Sequence, residues 1–142
     1  MLPTFDEIVS NFDMLDEWED RYRYLIELGR EMPALPPDAH TDANKVQGCA
    51  SQVWLDTQPE KRGPETALVF AGDSDAHIVK GLVALLVALL SGKSTADILA
   101  TDALGEFGKL GLAQHLTPQR SNGLASMVNR IRGEAQRVAA TV

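Results

Sequence analysis

The spacing of apolar and polar residues predicts helices at the start of the chain. Residues 4–7, Thr-Phe-Asp-Glu, have the form of a capping box and predict the start of a short helix. A second helix is predicted over residues 16–31, because apolar side chains recur there at helical spacing, at Trp18, Tyr22, Leu25 and Leu28. Pro33, Pro36 and Pro37 follow and end that helix, since proline removes a backbone donor and clashes with a continuing helix.

The middle of the chain changes from helical to alternating spacing, which predicts an antiparallel hairpin. Val53 and Leu55 alternate with their neighbours over residues 52–57, and residues 66–71 form a second apolar run. Residues 59–64, Pro-Glu-Lys-Arg-Gly-Pro, are typical of a turn between two strands. Residues 38–50 are predicted to be an irregular linker, with a short helical turn at residues 42–45.

The second half of the chain again has helical spacing. Residues 75–90 are apolar on nearly every side and predict a helix buried against the sheet, with Ser74 or Asp75 as its cap. Short helices are predicted over 94–100 and 102–110. A final helix is predicted from Thr117-Pro118 onward, with an apolar stripe at Leu124, Met127, Val128, Ile131, Ala135 and Val138. The whole pattern predicts an α+β fold in which helices pack on a small antiparallel sheet, as one domain over residues 1–142.

Composition and charge restrict the partners and the compartment. The formal net charge is −7, from 13 basic and 20 acidic residues, so the protein lacks the cationic surface that nucleic acids require. Its late basic residues, Arg120, Arg130, Arg132 and Arg137, are interpreted as a solvated helix face. The longest apolar run, residues 81–90, is about half of the ~20 residues that a membrane span needs, and the N-terminus lacks a basic leader. We therefore expect a soluble cytoplasmic protein with neither a nucleic-acid nor a membrane partner.

Cys49 is the only cysteine and the leading candidate for chemistry. It can form no internal disulfide, and a single thiol fits a reducing compartment. Gly48 precedes it and adds backbone freedom, and Lys45 could favour the thiolate. Its place at the end of a linker favours a nucleophile or a sulfur acceptor. The alternative is that Cys49 is a small buried hydrophobic residue without chemistry.

Two other kinds of site are weaker candidates. His40, His77 and His115 lie far apart without the spacing of metal ligands, so no metal site is predicted. A cysteine hydrolase would use Cys49 as nucleophile and His115 as base, with Asp73 or Asn122 orienting the base. Many chains contain such residues by chance, so this alternative rests on a weak pattern.

Three segments, at residues 46–54, 72–82 and 110–124, carry motifs that stand in register along the chain. Together they resemble the SufE family, whose members accept sulfur from cysteine desulfurases that use pyridoxal phosphate (PLP). Residues 46–54, Val-Gln-Gly-Cys-Ala-Ser-Gln-Val-Trp, are similar to the acceptor loop of that family. Residues 72–82 resemble its second block. Residues 110–124 resemble the third, through Leu-Gly-Leu, His-Leu-Thr-Pro and Arg-Ser-Asn-Gly-Leu. The blocks cover about residues 5–135, which is nearly the whole chain.

The resemblance implies a fold like that of SufE proteins and of IscU-type iron–sulfur scaffolds. It implies that Cys49 accepts persulfide sulfur, stimulates a cysteine desulfurase and passes the sulfur to a cluster scaffold, so that the protein is a sulfur-transfer partner and not a stand-alone enzyme. PLP would belong to the desulfurase, and this chain would hold no cofactor. Asp73 and Arg120 match blocks beside the acceptor loop, although helix capping for Asp73 and a surface ion pair for Arg120 are alternatives. Because a persulfide is easily lost to stray thiols, we also expect a sheltered Cys49.

Overall fold

The computed structural model of the protein describes residues 2–140. In chain order these residues form α1 (Phe5–Asp13), α2 (Trp18–Glu31), β1 (Val53–Arg62), β2 (Glu65–Ser74), α3 (His77–Leu90), α4 (Thr95–Ala100), α5 (Ala103–Gly108), α6 (Leu112–His115) and α7 (Pro118–Ala140). The predicted α+β fold is confirmed, with helices packed on a two-stranded antiparallel sheet. The short helix α6 was not predicted.

Local capping sets where most of the helices begin. At α1, Thr4 and Glu7 form the reciprocal hydrogen bonds of the predicted capping box. Ser94 caps α4 by accepting a hydrogen bond from the Asp97 amide. The predicted cap of α3 is wrong, because Ala76 precedes that helix without a side-chain hydrogen bond. The Ser74 hydroxyl instead donates to the Gln52 carbonyl, where it ties the hairpin to the preceding loop.

The hairpin is longer than its sequence pattern predicts. The strands pair from Val53 opposite Ser74 to Arg62 opposite Glu65, so the turn is confined to Gly63 and Pro64. The prediction of a turn over residues 59–64 is therefore wrong. Pro59 lies within β1 opposite Leu68. The amide and carbonyl of Leu68 bond to Lys93 and Gly92 on the far side of β2, so this pair exchanges no hydrogen bond and the missing donor of proline costs nothing there.

The linker before the hairpin is more ordered than predicted. A 3₁₀ turn covers Pro37–Ala39, and a hydrogen-bonded turn from Thr41 to Asn44 lies where a helical turn was predicted. Residues 44–46 then run antiparallel along β1: the Leu55 amide donates to the Asn44 carbonyl and the Val46 amide to the Val53 carbonyl, both at 2.8 Å. We call residues 36–46 the arm, because this segment leads to Cys49.

The core lies around α3, as its apolar sequence predicts. This helix packs between α2 and the hairpin, and most of its side chains are buried. Gly81 brings it against α2, since a Cβ there would overlap the backbone oxygen of Leu25. All six residues of the predicted stripe on α7 are buried, so this side of the helix faces the core. Within residues 2–140, no helix is both long and apolar enough to cross a membrane.

Candidate functional site

Cys49 lies on a six-residue loop, residues 47–52, that is closed at its base by hydrogen bonds. The Val46 amide donates to the Val53 carbonyl, which joins the two ends of the loop. Gln52 is held by the Asp75 carboxylate, which accepts from its amide at 3.0 Å and from its side chain at 3.4 Å. The ends of the loop are therefore fixed, while its central residues are attached mainly through their contacts with α7. We call residues 47–52 the acceptor loop.

Gly48 lets the acceptor loop turn toward α7. Its φ of 88° is in the left-handed region, which side chains other than glycine rarely adopt. A Cβ at this position would also come within 2.6 Å of the Ser126 hydroxyl oxygen. The backbone angle thus favours glycine, and any larger residue would also force the Ser126 hydroxyl to move.

The thiol of Cys49 is half-buried against the N-terminal half of α7. Its Sγ donates a hydrogen bond to the Gly123 carbonyl oxygen at 3.5 Å. Burial raises the pKa of the Cys49 thiol, because removal from water disfavours the thiolate. In this conformation the thiol is therefore held in its less reactive, protonated form.

A cavity of about 220 Å³ adjoins the thiol. Its apolar side is formed by Val79, Leu82 and Met127, and its polar side includes Thr117, Gln119 and Arg120. Arg120 is half-buried there and forms no ion pair with any residue in the range 2–140, so the alternative of a surface ion pair is not what the structure shows. The cavity thus offers space for an additional atom next to Sγ and a permanent positive charge on its wall.

One face of α7 contacts the chain between Ala43 and Cys49. Gly123, Ser126 and Arg130 are spaced three and four residues apart, so they share one side of the helix. Gly123 contacts Cys49, Ser126 contacts Gly48, and the Arg130 guanidinium donates to the carbonyls of the arm residues Ala43 and Lys45. The arm and acceptor loop therefore lie along this face as a continuous strip.

Sequence reasoning missed this face of α7. Arg130 and Arg132 were interpreted as solvated, but Arg130 binds the arm and Arg132 donates to the Leu99 carbonyl at 3.0 Å. That part of the interpretation is wrong, because both guanidinium groups satisfy backbone carbonyls of distant segments. Helical spacing alone could have grouped Gly123, Ser126 and Arg130 on one side of α7, but nothing in the sequence shows which segment covers them.

Asp73 lies near the end of β2 and not on the wall of the cavity. Its carboxylate accepts from His40 Nε2 at 2.7 Å and from the Ser74 amide at 2.8 Å, and lies 3.4 Å from Lys80 Nζ. Partial burial alone would raise the pKa of Asp73, but these two hydrogen bonds and the lysine charge together lower it. Helix capping is therefore not its role, and none of these three interactions reaches Cys49 directly.

The residues of the hydrolase alternative are not assembled. The His115 ring is exposed and stacks on Trp18 with 4.3 Å between ring centroids, and it forms no hydrogen bond with Cys49. Asp73 binds His40 instead of His115, and Asn122 is exposed. Among the described residues there is also no group of three or more His, Cys, Asp or Glu side chains that could hold a metal ion.

Comparisons with known proteins show what the chain as a whole is similar to. The family model of the SufE, Fe-S metabolism associated domain matches residues 6–135. An uncharacterized SufE-like protein of Rhizobium meliloti (strain 1021) is 53% identical over 135 residues, which cover 95% of this chain and 96% of that protein. A second SufE-like protein, from Rhizobium etli, is 53% identical over 135 residues, with coverage of 95% and 91%. The solution structure of a hypothetical protein from Thermus thermophilus has the same fold, with a TM-score of 0.71, 24% sequence identity and 99% of each chain covered.

Proposed function

The chain belongs to the SufE family, and from this membership we propose that it carries sulfur on Cys49 from a PLP-dependent cysteine desulfurase to an iron–sulfur cluster scaffold. Family membership supports a role in Fe-S metabolism and sulfur transfer. The identity of the acceptor residue, the stimulation of the desulfurase and the passage of sulfur to a scaffold are the parts that we add.

The observation that carries the proposal is the cavity beside the thiol. A cysteine that served only as packing would fill its site, because protein interiors leave few voids. Cys49 instead borders about 220 Å³ of space, with Arg120 on the wall. The outer sulfur of a persulfide extends about 2.05 Å beyond Sγ, so it fits in this space. The Arg120 charge would stabilise a persulfide anion there.

The transfer is a thiol exchange that needs no external oxidant or reductant. The Cys49 thiolate attacks the outer sulfur of the persulfide on the active-site cysteine of the desulfurase. A new S–S bond forms at Cys49 Sγ, the S–S bond within the desulfurase breaks, and its cysteine leaves as a thiolate. The proton that Cys49 loses on ionising passes to solvent. A second exchange of the same kind would deliver the sulfur to the scaffold.

The sheltered position of Cys49 favours storage of sulfur over its transfer. In the inward conformation burial raises the pKa of the thiol, so few thiolates are present to react with stray oxidants. Attack inside a partner enzyme requires the acceptor loop to leave the face of α7. The left-handed angle at Gly48 provides a hinge for that motion, and the fixed ends of the loop limit it to residues 47–52. Docking would therefore both expose the thiol and lower its pKa.

The rest of the proposal concerns cofactors and the cellular compartment. We assign PLP to the desulfurase and no cofactor or metal to this chain, which makes it a sulfur-transfer partner and not a stand-alone enzyme. The cytoplasm suits a protein whose single free thiol must stay reduced between transfers. Elemental analysis and an absorption spectrum of the purified protein test this, since stoichiometric iron or zinc, or a Schiff-base band, would contradict it.

The deciding experiment compares the wild type with Cys49→Ser in a desulfurase assay. Serine is similar to cysteine in shape and volume, so this variant should fold and bind the desulfurase but give no stimulation and gain no sulfur by mass spectrometry. His115→Ala is the matched control and should behave as the wild type. Full stimulation by the serine variant would refute the proposal. Absence of sulfur on wild-type Cys49, with an active desulfurase present, would leave Cys49 as an inert structural residue.

Reactivity of the free protein tests the sheltered position separately. Because Cys49 is half-buried with a raised pKa, iodoacetamide should modify it more slowly than a cysteine in an unfolded peptide at the same pH. Equal rates would show that the thiol is not sheltered in solution, whether or not it carries sulfur.

A further inference from the structure

His40, on the arm, lies between two hydrogen-bond acceptors. Its Nε2 is 2.7 Å from a carboxylate oxygen of Asp73, and its Nδ1 is 3.0 Å from the Pro36 carbonyl oxygen. The ring also meets the indole of Trp54 edge-on, with 4.8 Å between centroids. The imidazole thus joins a turn of the arm to both strands of the hairpin.

This geometry requires a proton on both ring nitrogens. A carbonyl oxygen and an ionised carboxylate can only accept hydrogen bonds, and a neutral imidazole has a single N–H to donate. The neutral ring could therefore donate to either Pro36 or Asp73. Its unprotonated nitrogen would then point its own lone pair at the oxygen of the remaining acceptor. Only the imidazolium makes both bonds. In agreement, the hydrogen bond to Asp73 raises the pKa of His40 above its usual value, although partial desolvation opposes it.

The charged groups around the ring agree with this conclusion. Asp73 on β2 is its ion-pair partner, and Lys80 on α3 lies on the other oxygen of that carboxylate. On the arm itself, Asp38 and Asp42 are exposed, and neither forms a hydrogen bond or ion pair with His40. Strand β1 presents the Trp54 indole. The anionic Asp73 is thus the group that holds the proton on His40.

The hydrogen bonds of His40 continue toward the acceptor loop. The side chain of Asn44 donates to the Ala39 carbonyl at 2.9 Å, which links the turn held by His40 to the part of the arm along β1. The Asn44 carbonyl accepts from Leu55, and Val46 closes the base of the acceptor loop. Release of the turn would therefore weaken the attachment of the arm at Asn44, three residues before the acceptor loop begins.

We propose that His40, as an imidazolium bridging Pro36 and Asp73, is a positioning residue that clamps the arm onto the hairpin, and that loss of its proton opens the clamp and exposes Cys49. The clamp itself is independent of sulfur transfer, whereas its effect on sulfur acceptance rests on the function proposed above. It makes the shelter of Cys49 depend on pH through a group other than the thiol.

Fluorescence of Trp54 reports the clamp directly. In the Trp18→Phe variant, Trp54 is the only tryptophan. The His40 ring contacts its indole, and a charged imidazolium in contact with an indole quenches its fluorescence. Its fluorescence should rise with pH in one transition centred above about 6.5, the usual pKa of histidine. Adding His40→Asn should abolish the transition, and the matched control His77→Asn, at an exposed histidine, should leave it unchanged. A transition that survives His40→Asn, or one centred at or below the usual value, would overturn the proposal.

Two further measurements show whether a changed fluorescence transition comes from a misfolded variant. Ring-proton NMR of the unaltered protein gives the His40 titration without any substitution, and circular dichroism checks that each variant is folded. Asp73→Asn removes the carboxylate and should shift the His40 midpoint downward. An unchanged midpoint in that variant would also overturn the proposal.

The connection to Cys49 is tested by alkylation with iodoacetamide, corrected for the thiolate fraction of each variant. Below the His40 transition, His40→Asn should react at least about threefold faster than the wild type, because the variant lacks both hydrogen bonds of the imidazolium. Above the transition the two should react equally, because the wild-type clamp is then open. A ratio independent of pH would mean that His40 is merely structural. The fluorescence, NMR and alkylation measurements use no desulfurase, so a negative result in them is distinguishable from failure of the sulfur-carrier proposal.

Discussion

Gly123→Ala should stabilise the fold and impair the storage of sulfur. Gly123 is a buried helical residue of α7 whose carbonyl accepts the hydrogen bond from Cys49. A Cβ built there would meet Cys49, with 3.6 Å to Sγ and 3.9 Å to Cα, which is ordinary contact. The thiol form therefore accommodates the new methyl group. Alanine in place of glycine in a helix interior stabilises by about 0.5–1 kcal/mol.

The persulfide form has less room for that methyl group. An outer sulfur lies about 2.05 Å from Sγ. Consider the angle at Sγ between the S–S bond and the line to the new methyl carbon. If this angle is below about 70°, the outer sulfur lies closer to the methyl carbon than Sγ does. The substitution thus closes the side of the cavity next to α7 to the outer sulfur. The inward persulfide should be destabilised although the free protein is not.

The assay measures three quantities on Gly123→Ala and on Gly133→Ala, its matched control. Gly133 is a residue of the same helix where an added Cβ would meet nothing within 4 Å. Both variants should melt about 2–4 °C above the wild type. After loading by a desulfurase, only Gly123→Ala should lose its sulfur faster by mass spectrometry, with the persulfide more open to alkylation.

Two results would refute this reasoning. If Gly123→Ala kept its persulfide as long as Gly133→Ala, the outer sulfur would not occupy the space beside α7. If Gly123→Ala melted below the wild type, the contact with Cys49 would be a clash, and loss of sulfur would have a trivial structural cause.

Three further predictions concern the loop, the core and pH. Gly48→Ala should lower the free energy of unfolding by about 1–2 kcal/mol because of the positive φ. It should also accelerate alkylation of Cys49, because the added Cβ crowds α7. The control Gly63→Ala, at positive φ but in open space, should leave the alkylation rate unchanged. Gly81→Ala should destabilise by about 3 kcal/mol in denaturant unfolding, since its Cβ would overlap the backbone of α2, and a cost below that of an exposed helix substitution would contradict the close packing. The pKa of His40 is raised in the folded protein, so the stability that His40 contributes should be full below about pH 6.5 and be lost as the pH rises through the folded pKa. The pKa of Asp73 is lowered, so the stability that Asp73 contributes should be present above about pH 4 and be lost as the pH falls through the folded pKa. Melting temperatures across pH should show both losses, and His40→Asn should remove the one at higher pH.

The sequence alone determined those features that depend on residues close together in the chain. The capping box at Thr4 and the cap at Ser94 each need a partner three residues away. The stripe of α7 is a periodic pattern within one helix, and all of its members are buried. Each of these depends on local geometry that a repeat of apolar and polar residues encodes. The family segments likewise identified the neighbourhood of Cys49 from its own sequence.

The hairpin length and the order of the arm were decided by pairing between segments. Pro59 is typical of a turn by composition, but it lies in a strand because its pairing with Leu68 needs no hydrogen bond from its nitrogen. The arm looked irregular because its sequence has no period, yet backbone bonds to β1 and guanidinium bonds from Arg130 order it. A polar segment can be ordered by hydrogen bonds to a partner, and its own sequence does not contain the partner's position.

The state of the thiol is also a property of the tertiary structure. Cys49 is the only cysteine, so its candidacy is evident from sequence, but its raised pKa comes from burial against α7 and its cavity from α3 and α7 together. Arg120 reaches that cavity and His115 does not, although both belong to the same family segment. His40 and Asp73 are separated by 33 positions and meet at 2.7 Å only because the arm folds back on the hairpin. Solvation and the distances between charges depend on all the segments that surround a group, so they are fixed only when the chain has folded.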